Sequence, residues 1–104
     1  MDEREMIAMF HAMYDNFPTR VRLIRRDRVV LAVNKIAAGE GFQVGCRCID
    51  QGTPSGHKNC KANLALKEKR GVSFRAENGA ILFWAPLEGF ADVYIHGSFP
   101  PPEG

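Results

Sequence analysis

The sequence predicts a single α+β domain with five strands and an N-terminal amphipathic helix, on three observations. Apolar residues recur at helical spacing through the first sixteen positions, short runs rich in β-branched residues follow from position 19, and Asn78-Gly79 separates two such runs where a hairpin must turn. A chain of 104 residues builds one hydrophobic core, not two. The expected domain covers residues 1–97, with the helix at 1–16 and a flexible tail at 98–104.

Each element has a local cause. Met6, Met9, Phe10 and Met13 follow i, i+3, i+4, i+7 spacing, and Asp2, Glu3 and Glu5 in the first turn complement the helix dipole. Pro18 forces Phe17 out of helical geometry, so the helix ends near Asn16. From Thr19 to Arg25, Val21 and Leu23 alternate with Arg20 and Arg22, a half-buried strand with a solvated arginine face. Arg26-Asp27-Arg28 turns the chain into a second strand, Val29 to Val33. Asn34 then has the side chain to cap a brief helix through Ala38, which Gly39 and Gly41 end.

The centre is less regular. Phe42 to Ile49 shows no period, and Gln51 to Gly56 is rich in turn formers, which reads as an exposed loop. A longer helix is expected from about His57 to Lys69, with Cys60, Leu64 and Ala65 inward, stopped by Gly71. Val72 to Glu77 and Ala80 to Leu87 flank the Asn78-Gly79 turn, and Pro86 places the second of these strands near its end, at a bulge or at an edge. Ala91 to His96 is the last strand, with His96 expected at an edge, and the strand is expected to stop before Gly97.

Composition excludes several classes. Hydrophobic residues at 45% and charged residues at 25% are ordinary for a globular chain. A net charge of +2, basic only around Arg20 to Arg28, argues against nucleic acid as a partner. No apolar run approaches the roughly 18 residues that cross a bilayer, and the acidic start MDEREM is no signal peptide, so the expectation is a cytoplasmic protein without a membrane partner. No nucleophile elbow, phosphate loop or dinucleotide fingerprint occurs, so the expectation is not an enzyme.

Chemistry concentrates in one stretch. Cys46, Cys48, His57 and Cys60 place four candidate metal ligands within fifteen residues. They are the ligand types that hold zinc or an iron–sulfur cluster, although the spacing is that of no standard finger. Two other readings stay open: Cys60 as a small buried hydrophobe beside incidental Cys46 and Cys48, or a thiol-redox switch tuned by His57, Lys58 and Lys61.

The order helix, hairpin, short capped helix, loop, longer helix and three-strand meander resembles the PAS domain. The resemblance runs from about Phe10 to Gly97. Asn34 directly after the second strand resembles the family's N-x-x-A pattern, Gly45 its next segment, and Ala65-Leu66 with Gly71 the end of its long helix. Asn78-Gly79 followed by Trp84-Ala85-Pro86-Leu87 resembles its fourth-strand pattern. Some bacterial PAS domains carry cysteines in the same central region; here His57 stands where a cysteine is common, and Cys46 is an additional thiol.

The resemblance implies a five-stranded antiparallel sheet with helices packed on one face. It further implies a sensory module taking a ligand, metal or redox signal in a pocket at Val44, Leu64, Phe74, Leu82, Trp84 and Val93. Relay would run through a homodimer contact at Met6, Met9, Phe10 and Met13, or through a signalling partner. The competing class is a ligand-free dimerisation or docking module; a small thiol-redox enzyme comes third.

Overall fold

The computed structural model describes residues 2–47 and 60–102. Helix α1 spans Glu3–Tyr14, followed by β1 (Arg20–Arg25), β2 (Val30–Val33), α2 (Lys35–Gly39), α3 (Ala62–Glu68), β3 (Val72–Arg75), β4 (Ile81–Leu87) and β5 (Phe90–Phe99). The strands form one antiparallel sheet in the order β2-β1-β5-β4-β3, so β5 lies at its centre.

Both sheet faces are covered. On the inner face α2 and α3 bring Ala37, Ala62, Ala65 and Leu66 against Ile24, Val30, Trp84 and Tyr94. On the outer face α1 sets Met6 and Phe10 against Val21, Leu23, Leu31 and Val93. Asp2 precedes α1 as its N-cap, its carboxylate accepting from the Glu5 N–H at 2.8 Å.

Asn34 joins these layers. Its side-chain oxygen accepts from the Ala37 N–H, capping α2, and from the Val21 N–H of β1, both at 3.1 Å. Its side-chain nitrogen donates to the carbonyls of Tyr14 at 3.0 Å and Thr19 at 2.8 Å. Capping is therefore only one of its four bonds.

Two register shifts explain sequence features without a clean period. Between β1 and β2, Leu23 faces Ala32 while Ile24 faces Val30, leaving Leu31 as the extra residue. That bulge lets Val30 and Val33, three apart, both serve the inner core. A second shift follows Pro86, which supplies no N–H to the ladder there.

Several boundaries differ from the sequence expectation. The β3–β4 loop has three residues, not two: Ala76 and Ala80 pair, Gly79 N–H donates to Ala76 O at 2.9 Å, and only Gly79 carries a positive φ, +93°. This is a turn closed by a left-handed glycine rather than two successive positive φ angles. Helix α3 starts at Ala62, so Cys60 precedes it and is exposed, and its inward face is Ala62, Ala65 and Leu66 with Leu64 outward. Alanines fit this contact because Trp84 and Tyr94 already fill the space beneath. Lys69 in the left-handed region ends the helix, two residues before Gly71.

The last strand is longer than expected. Gly97, Ser98 and Phe99, expected beyond the last strand from sequence, continue β5 beside β1 and β4. Glycine at 97 reflects crowding rather than chain termination: a Cβ there would lie 2.5 Å from Phe83 Cζ and 2.6 Å from the Arg20 carbonyl. Beyond β5, Pro102 lies against the turn glycine Gly79, where a Cβ would meet its Cδ at 3.0 Å.

Candidate functional site

Antiparallel partners point to the same face, so the register sets a row across the inner sheet: Val33, Arg22, His96, Trp84 and Val72. The sequence reading placed Arg22 on a solvated face and His96 at an edge. Both are corrected, because the inner face is roofed by helices and β5 is central. Arg22 is 8% exposed, with its guanidinium 4.5 Å from the centroid of the Phe42 ring.

The middle of the row is a stacked pair. The His96 and Trp84 rings lie 4.9 Å apart with 10° between their planes, and His96 Nδ1–H donates to the Phe83 carbonyl at 3.0 Å. Trp84 is 1% exposed, and among the described residues its indole Nε1–H has no hydrogen-bond partner. A buried donor left unsatisfied costs about 1–3 kcal/mol, so it is a place where a bound acceptor gains affinity.

Val72 at the end of the row and Phe42, Phe74 and Leu82 around it are only half-buried against the inner core. Lys61 Nζ lies 5.8 Å from the Phe74 centroid. The combination is an apolar surface that carries the unspent Trp84 donor. Next to it, Arg20 forms a two-pronged pair with Glu40 and donates to Ser98 Oγ at 3.0 Å. The hydrogen bond from Arg20 holds the Glu40 carboxyl below its usual range.

Of the pocket positions expected from sequence, Phe74, Leu82 and Trp84 come together on the inner face. The other three do not join them. Val93 lies on the outer face because odd positions of β5 point there, while Val44 is exposed and Leu64 lies on the outward side of α3. Arg22, His96 and Phe42 were missed as site residues. For Arg22 and His96 the available signal was strand parity, which needs the β1–β5 pairing to be known first; Phe42 lies in no strand and carried no such signal.

Among the interface residues, Met6 and Phe10 are core residues, an i, i+4 pair turned onto the sheet. Met9 and Met13 are exposed at 37% and 60%. Beside them runs a cleft of about 130 Å³ between α1 and the outer sheet face. Of the cysteine cluster, Cys48 and His57 lie outside the described residues. Cys46 is half-buried, its carbonyl accepting from Val30 N–H at 2.9 Å and its Sγ 3.5 Å from Gln43 Oε1, while Cys60 is exposed. Among the described residues, no three or more His, Cys, Asp or Glu side chains gather where a metal could be held. No helix among them is long and apolar enough to cross a membrane.

No protein-family model matches the chain, and no curated protein matches it in sequence. Solved structures do. A sensory box sensor histidine kinase from Vibrio cholerae aligns over 95% of this chain and 92% of its own, with a TM-score of 0.70 and 13% identity. The PAS domain of an HTR-like protein from Haloarcula marismortui aligns over 92% of this chain and 97% of its own, with a TM-score of 0.55 and 16% identity. With its strand order, its helices on the inner face and these two likenesses, the chain has the PAS fold.

Proposed function

We propose that this domain is a non-enzymatic signalling module that takes a small ligand on its inner sheet face and relays occupancy to α1. The observation that carries the reading is the Trp84 Nε1–H, buried in a row with Arg22 and His96 and unpartnered among the described residues. Asn34 provides the route outward, since it bonds α2 at Ala37 and the end of α1 at Tyr14. The descriptions of the two similar structures, a sensory box kinase and a PAS domain, support the reading. Neither nucleic acid nor membrane is proposed as a partner, because Arg20, Arg25 and Arg26 are each engaged by an acidic side chain. The proposed compartment is the cytoplasm.

The test uses the single tryptophan of the chain. Native mass spectrometry of gently purified protein reveals a retained ligand, and titration of a metabolite library reads Trp84 emission. A retained mass, or a saturable emission change weakened at least tenfold in Trp84→Phe measured by calorimetry, is the expected result. No retained mass and no saturable response would sink the reading.

A second reading is a ligand-free dimerisation or docking module, favoured by the exposure of Met9 and Met13. Sedimentation equilibrium decides it: a homodimer that Met9→Glu with Met13→Glu converts to monomer supports it. A metal or thiol-redox input through Cys46, Cys48, His57 and Cys60 is a third proposal, resting on two accessible thiols at either end of that stretch. Zinc, or iron with sulfide, that co-purifies with the protein and is lost in Cys60→Ala is its expected sign.

A further inference from the structure

We infer that the cleft between α1 and the outer sheet face is a second binding site, which takes a small uncharged apolar molecule of about one aromatic ring. It lies on the opposite side of the sheet from Trp84, so it stands whether or not the inner face binds a ligand. Three observations carry it.

The first is size. The cleft holds about 130 Å³, close to the roughly 150 Å³ apolar cavity that admits benzene. A peptide helix, about 10 Å across, does not enter such a space.

The second is charge. Met6, Met9 and Met13 line the cleft from α1, and Ala85, Leu87 and Ile95 line it from the sheet; no lining residue is an acid or a base, and the Tyr14 phenol is the sole side-chain polar group. An ion there would lose its hydration with nothing to replace it. The methionine thioethers are polarisable and flexible, which suits contact with a ring.

The third is anchoring. α1 is held at its far end by the bond from Asn34 to the Tyr14 carbonyl and near its start by the ion pair of Glu3 with Arg25. Between these ties its buried contacts are Met6 and Phe10. The helix is thus tied at both ends, over a cleft that it lines from Met6 to Tyr14.

The test titrates protein carrying carbon-13 methionine methyl groups with toluene at constant protein concentration. The expected result is a saturable shift of the Met6, Met9 and Met13 methyl resonances with Trp84 emission unchanged. Ala85→Leu fills the cleft from β4 and is expected to abolish the shift while leaving circular dichroism and Trp84 emission as in the parent; Ile95→Phe fills it from β5 and is read the same way should the first variant not fold. Shifts that rise linearly without saturation, or survive in the folded filled variant, overturn the proposal. So do methionine resonances that move on dilution without toluene, which would make the occupant a second copy of the chain.

Discussion

The Asn34 side-chain nitrogen donates to the main-chain carbonyl of Tyr14, the last residue of α1, at 3.0 Å. A residue of the β2–α2 junction therefore closes a helix twenty positions earlier. Asn34→Ala removes that bond and three others in a fully buried setting. The expected loss is about 3 kcal/mol, from partners left unsatisfied at about 1–3 kcal/mol each with partial relaxation. Asn34→Asp keeps the two acceptor bonds but sets a buried carboxylate oxygen against the Tyr14 and Thr19 carbonyls, so urea denaturation at neutral pH should find it no more stable than the alanine variant. Amide exchange should quicken at the end of α1 in both.

Gly97 makes a second test of packing. In Gly97→Ala the new methyl meets both the Phe83 ring and the Arg20 carbonyl. Overpacking of this kind costs about 1–3 kcal/mol. Adding Phe83→Leu relieves the ring contact and leaves the backbone one. Thermal denaturation of the double variant should therefore show only partial recovery relative to Phe83→Leu alone.

Arg28 has φ +77°, a left-handed conformation in a residue other than glycine, and its side chain reaches Asn63 Oδ1 at 2.6 Å. Arg28→Ala and Arg28→Gly both lose that reach. They differ in backbone strain, about 1–2 kcal/mol for a residue with a Cβ, partly offset by the flexibility of glycine in the unfolded chain. Arg28→Gly should be the more stable of the two by about 1 kcal/mol, measured by chemical denaturation.

Acid should weaken the domain through specific carboxylates. Hydrogen bonds from Arg20 lower the Glu40 carboxyl, and those from Arg25 and the Val29 N–H lower that of Asp27. A carboxyl depressed on folding contributes stability above its unfolded pKa and loses it as pH falls through the folded value. The window for Glu40 thus opens near its ordinary 4.5 and extends downward. Both groups are well exposed, so the effect is small and screened by salt. The difference in denaturation midpoint between parent and Glu40→Gln should be present at neutral pH and close in strong acid or molar salt.

The elements with strong local causes were legible in the sequence. The stripe of Met6 and Phe10, the Asn34 cap and the hairpin at Gly79 each follow from neighbours a few positions apart. The candidate site was not. Arg22 reads as a solvent residue by alternation, and only pairing with His96, 74 positions later, puts it under helices. Gly97 reads as a strand end until the Phe83 ring is placed across it. On α3 the inward position of Ala65 was legible, but Cys60 and Leu64 were misassigned with it because they share a helical spacing, while the bulk of Trp84 and Tyr94 selects the alanines.

The central seam of the sheet joins β1 to β5, with Arg20 opposite Ser98. Closing that pairing before the rest of the chain is ordered would restrict a loop of nearly the whole domain, whereas β1–β2 and β3–β4–β5 close only short ones. The cost grows slowly with length, yet it falls on the step that makes the sheet continuous. Folding should therefore assemble two local ribbons first and zip the seam late, as expected where distant pairings limit the rate. The seam is also where Arg22 and His96 meet, so the inner row comes into being only in the last stage of folding.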